Sequence, residues 1–121
     1  MKIVSGLAVF LIAALHAGFL TLEMFFWDHP VGRKIFAMTA EQSANTAVLA
    51  ANQGLYNGFL AAGLLWGLIA RKRDVEIFFL LCVIVAGVFG AATAKPTILL
   101  TQALPGAIAL ALLLVAGGAR K

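Results

Sequence analysis

An all-α fold of four transmembrane helices, with both termini cytoplasmic, is the architecture this sequence predicts, and three observations predict it. The chain of 121 residues is 63% hydrophobic and only 12% charged, about half the charged share of an ordinary soluble domain. Its apolar residues fall into four runs, each near the roughly 20 residues that a helix needs to cross the hydrocarbon of a bilayer. The basic residues sit in short groups between those runs, where topology signals belong. A net charge of +4 in that pattern speaks of membrane orientation, and no nucleic-acid partner is expected.

The first helix is expected over residues 3–27. At about 25 residues the run exceeds the 7–15 of a signal-peptide core, and no small-x-small cleavage site follows it, so it reads as a retained span. His16, Leu20, Glu23 and Trp27 share one stripe of this helix. Trp27 closes the run where an aromatic anchor meets the headgroups. Asp28-His29-Pro30 then stops the helix, because the residue before a proline is pushed out of helical dihedrals. From His29 to Met38, Arg33 and Lys34 alternate with Val31, Ile35 and Phe36, the composition of a short interfacial turn.

The second helix, residues 40–70, opens on Thr39-Ala40-Glu41-Gln42, a capping box with Thr39 as N-cap and Gln42 reaching back. Ala50, Gly54, Gly58 and Ala62 recur every fourth residue, a small-residue seam that lets another backbone approach. That seam serves an intrachain contact or a homodimer through the Gly54/Gly58 face equally well. The third helix, residues 75–94, carries Glu76 at its mouth. Its Ala86, Gly90 and Ala94 repeat the small spacing, which makes them the expected partner of the ladder on the second helix. Lys95-Pro96 breaks the chain before a fourth helix, residues 97–117. There Pro105 has no N–H for the carbonyl of Thr101, so a kink or loosened turn is expected. Cys82 stands alone, which excludes an intrachain disulfide and leaves a small buried apolar residue.

Six basic residues, Lys2, Arg71, Lys72, Arg73, Arg120 and Lys121, then lie on the N-terminal side of the membrane, against Arg33, Lys34 and Lys95 on the other. The rule that positive charge stays inside puts both termini on the cytoplasmic side, and a multi-pass protein of the cell inner, or plasma, membrane is expected.

Depth follows from the helical rise. His16 lies beyond the midplane, roughly 20 Å from the inner edge, and Glu23 lies near the outer boundary. Asn52 and Gln53 fall about one turn below that boundary, Tyr56 and Asn57 one turn deeper, and Gln102 roughly 10 Å below Lys95. Three helices thus bring their strong polar groups to the outer half of the bilayer, where lipid offers them no hydrogen bonds.

The sequence therefore nominates a polar pocket. Asn52, Gln53, Tyr56, Asn57, Gln102 and Trp27 are its ligand-binding candidates. His16 and Glu23, about 10 Å apart along their helix, are candidate acid and base around a ligand lodged between them. One intramembrane histidine and one carboxylate fall short of a zinc set, so no metal is expected, and no cofactor is identified. Three functions compete. The leading one is binding of a small amphipathic or lipid-like molecule, such as a quinone or isoprenoid. The second is an enzyme using His16 and Glu23 on such a lipophilic molecule. The third is a structural or assembly subunit whose polar groups only lock helices together. Membrane lipids are the expected surroundings in each case.

Glu23-Met24-Phe25-Phe26-Trp27, Asn52-Gln53-Gly54-Leu55-Tyr56-Asn57-Gly58-Phe59-Leu60-Ala61 and Gln102-Ala103-Leu104-Pro105-Gly106 together carry a resemblance. Over essentially its whole length the chain resembles the small bacterial membrane proteins grouped as domain of unknown function 1304. The resemblance implies four membrane helices and no established biochemical role. It places His16, Glu23, Asn52, Gln53, Tyr56, Asn57, Gln102 and Pro105 among characteristic positions, with Gly106 where alanine is more usual.

Overall fold

A computed structural model describes residues 1–117. The basic residues Arg120 and Lys121, used above for topology, lie outside the described residues. The described chain runs α1 (Lys2–Phe25), α2 (Pro30–Ile35), α3 (Ala40–Ile69), α4 (Arg73–Thr93), a π-helical turn (Leu99–Ala103) and α5 (Leu104–Ala116). Two compact units divide it: Ala14–Ala61, and Met1–Ala13 with the chain from Ala62 on.

Among the described residues, three helical segments are long and apolar enough to cross a membrane: Lys2–Phe25, Arg73–Thr93 and the continuous Leu99–Ala116. Helix α3 is the longest element at 30 residues, yet it is not among them. The cause is local: the amides and phenol between Asn52 and Asn57 dilute its apolar content. Burial does not sort residues by polarity as in a water-soluble domain: beside apolar residues such as Val9, Leu64, Leu80 and Leu113, polar ones are enclosed too. Ser5, His16, Ser43, Asn57 and Glu76 are buried, while Ile3, Leu7, Phe10, Val85, Phe89 and Val115 are exposed. Such a surface costs free energy in water and little in hydrocarbon.

In the unit Ala14–Ala61, α1 ends on a turn through Trp27 and Asp28. The His29 Nδ1 accepts from the Val31 N–H at 3.1 Å, with Pro30 in the first turn of α2, so the expected interfacial turn is a short, capped helix. Met38 N donates to Arg33 O at 2.9 Å, a Schellman closure that sets Ala37 at φ 52°. The capping box of α3 forms as expected. Thr39 Oγ1 accepts from Gln42 N at 3.0 Å, and Gln42 Oε1 accepts from Thr39 N at 2.9 Å.

In the other unit, α3 ends in a second Schellman closure, Lys72 N to Gly67 O at 2.9 Å, with Arg71 at φ 56°. Helix α4 therefore starts at Arg73, two residues before the expected Val75. Its buried stripe is Glu76, Leu80, Val83 and Gly87. Glu76, expected at the mouth of the helix, stands in its first turn and is fully buried beside Gly67, where a Cβ would lie 2.6 Å from Glu76 Cγ. Gly87 is the tightest point: an added Cβ would meet Ala103 N at 2.7 Å. The small-residue seam of α4 thus serves the last span through Gly87. Of the expected ladder, Gly90 faces Ile98, while Ala86 and Ala94 are exposed. The loosening expected at Pro105 takes the form of the π-helical turn just before it, where Leu104 N donates to Leu99 O. A wider turn removes the need for the hydrogen bond that proline cannot make.

Two substitutions test these local forces. Ala37→Gly should raise the thermal stability of the detergent-solubilised protein by about 1 kcal/mol, because glycine carries no left-handed penalty. Gly87→Val should lower it by about 1–3 kcal/mol, since the backbone of Ala103 leaves no room for a side chain.

Candidate functional site

Within Ala14–Ala61 the polar side chains form two groups, separated by which face of α3 they occupy. The first group lies between α1 and α3. Gly54 sits under Met24, Glu23 and Leu20, with an added Cβ 2.7 Å from Met24 Cγ and 3.3 Å from Leu20 O, and Gly58 sits under Leu20 Cδ1. The two glycines let the helices close to near backbone contact. That proximity brings Asn57, itself buried, to the carboxylate of Glu23, to which its Nδ2 donates. His16, two turns earlier on α1, is fully buried, its ring edge-on to Phe19 at 5.2 Å.

A network missed by the sequence reading ties α2 to the start of α3. Asp28 Oδ1 accepts from Arg33 Nη1 at 3.0 Å and from the buried Ser43 Oγ at 2.8 Å. Trp27 Nε1 donates to Thr46 Oγ1 at 2.9 Å, and the Thr46 hydroxyl donates to Gln42 O at 2.7 Å. The Trp27 ring lies over Phe36, with centroids 4.8 Å apart. Gly32 leaves no space at all, because a Cβ there would overlap the carbonyl oxygens of Phe26 and Trp27. The signal available beforehand was the pairing of Asp28 with Arg33, one turn and one residue apart. Nothing in their spacing named Ser43, whose partner comes from another element.

The second group is Asn52, Gln53 and Tyr56. All three are exposed, and no hydrogen bond among the described residues uses their side chains; Tyr56 makes only a ring contact with Phe59, at 5.9 Å. The inward-facing pocket expected of them is therefore not enclosed within this unit. The physical reason is angular. On a helix of 3.6 residues per turn, Gly54 and Asn52 point about 160° apart, and α1 has taken the glycine face.

Of the sequence candidates, the structure joins Glu23 with Asn57 and engages Trp27 with Thr46 and Phe36. His16 and Glu23 are not brought onto one open cavity: His16 offers no accessible surface. Gln102 belongs to the other unit, where its Nε2 donates to Val83 O at 3.1 Å across the π-helical turn. The Gly54–Gly58 seam is filled by α1 of the same chain, so a homodimer through that face would have to displace α1.

An all-helical chain with three helices of membrane-crossing length and apolar character is compatible with a multi-pass membrane protein. The family described as "Protein of unknown function (DUF1304)" matches residues 10–114, and the chain belongs to that family. It is also similar to the uncharacterized protein YpaA of Lactococcus lactis subsp. lactis (strain IL1403), 31% identical over 85 residues, covering 67% of this chain and 71% of that protein. No solved structure matches it.

The Glu23–Asn57 bond gives a direct test. Asn57→Leu removes the donor to a half-buried carboxylate and should lower thermal stability in detergent by about 1–3 kcal/mol. Asn52→Leu, with no side-chain hydrogen bond to lose among the described residues, should leave it unchanged or raise it.

Proposed function

We propose that this chain is a four-span protein of the bacterial inner membrane, with α3 as the fourth crossing helix and both termini cytoplasmic. In this reading it binds a small amphipathic molecule, quinone- or isoprenoid-like, at the outer end of α3. The polar head lies against Asn52, Gln53 and Tyr56, on the face of α3 away from the Glu23–Asn57 pair, and Trp27 marks the headgroup level. One observation carries the reading. A helix that keeps two amides and a phenol within five residues, exposed and without hydrogen-bond partners among the described residues, has hydrogen-bonding capacity that lipid tails do not satisfy.

Crossing by α3 is consistent with its length of about 45 Å, well beyond the ~30 Å of hydrocarbon. The cluster Arg71-Lys72-Arg73 after it, like Lys2 before α1, suits the cytoplasmic face. The geometry favours a purely structural role for Asn57 and Gln102, because each already bonds a neighbouring helix. Catalysis by His16 draws no support from a ring with no accessible surface.

Native mass spectrometry of the purified protein, released gently from detergent, should show a co-purifying small molecule in a defined ratio. The double variant Gln53→Leu, Tyr56→Phe should reduce its occupancy by roughly tenfold, two hydrogen bonds at about 0.5–1.5 kcal/mol each, with folding unchanged. Replacing His16 by Gln should leave occupancy as it is. A wild-type protein that carries no molecule, or a double variant that keeps it fully, would overturn the reading.

A further inference from the structure

The site just described lacks a wall on the side of α3 turned away from α1. Asn45, Leu49, Asn52, Tyr56 and Phe59 step by four, three, four and three along that side, and every one is exposed, Leu49 at 70% and Tyr56 and Phe59 at 55% each. That spacing is the one a helix pair wound about a shared seam requires. We infer that a second copy of this chain supplies the missing wall, α3 against α3 along this stripe, so that the polar head is held between two copies. The inference rests on the preceding reading of Asn52, Gln53 and Tyr56 as a ligand site.

Chemistry selects this occupant. A side-chain amide carries both donors and an acceptor, so an asparagine facing its own copy across a two-fold axis is satisfied by an identical group. Copies inserted in the same orientation are related by an axis along the membrane normal, which runs their α3 helices parallel and sets Asn45 opposite Asn45 and Asn52 opposite Asn52. An asparagine at such a seam position specifies register and a low number of strands. No charged residue occurs on α3 between Glu41 and its end at Ile69, so no like charges oppose each other. The stripe points about 140–180° away from Gly54, leaving the α1 contact intact. Gln53, at the edge of the stripe, remains able to reach a head group lodged beside the seam.

Cysteine cross-linking in native membranes tests this independently of any ligand. Cys82 is the only cysteine, so Cys82→Ala provides the background. Asn45→Cys and Asn52→Cys, each alone and oxidised with copper–phenanthroline, should give at least tenfold more disulfide-linked dimer than Val85→Cys, an exposed position on α4. Leu49→Arg should shift the native mass of the solubilised protein from dimer to monomer and lower occupancy by the co-purifying molecule at least tenfold. Absence of cross-links at both 45 and 52 would overturn the inference. So would a monomer that keeps its bound molecule, an outcome that leaves the single-chain site standing. Cross-linked dimers carrying no molecule would support the interface and remove the ligand reading instead.

Discussion

A carboxylate near the end of an apolar helix has to find a donor, and most of the unit Ala14–Ala61 can be understood from how Glu23 finds Asn57. Water satisfies a carboxylate at any angle, whereas a protein interior does so only where a donor is held in place. Asn57 is held there because Gly54 and Gly58 bring the backbone of α3 against Leu20, Glu23 and Met24. The small residues and the hydrogen bond depend on each other. Without the glycines the amide would stand off by the width of a side chain, and without the amide the close contact would bury an unpaired acid.

The same economy governs the connection between α1 and α3. Asp28, Arg33 and Ser43 share one carboxylate oxygen and its neighbours, and Trp27 reaches Thr46. The Asp28–Arg33 ion pair is partly exposed and contributes little by itself. Ser43, fully buried, makes the difference, because its hydroxyl must be satisfied wherever α2 settles. A six-residue helix that would not be stable alone is thereby fastened at both ends, by its histidine cap and by this network. In the other unit the corresponding tight point is Gly87 against Ala103, with Gln102 bonded to the Val83 carbonyl. There, too, a polar side chain and a missing one act together.

Much of this was legible in the residues. The stop at Asp28-His29-Pro30, the capping box at Thr39 and Gln42, and the loosened turn ahead of Pro105 are local events. Each is governed by sterics and hydrogen bonds within a few residues, and each appears within a residue or two of its expected place. For the opposite reason, nothing local to Glu76 disclosed its burial. Its position in the first turn of α4 says nothing about which way that turn faces, and only Leu80, Val83 and Gly87 on the same stripe place it inward.

The amino-acid order by itself determined that this chain is helical, roughly where its caps and breaks fall, and which polar residues share a stripe; of the four spans it predicts, three have the length and apolar character to cross a membrane among the described residues. Only the tertiary structure decided how those stripes are spent. Asn52 and Asn57 are five residues apart on one helix, yet one is exposed and the other bonds Glu23. Periodicity specifies the angle between two side chains on a helix. The choice of which angle receives the neighbouring helix belongs to packing, here to two glycines that admit α1 on one side of α3 and leave the opposite side uncovered.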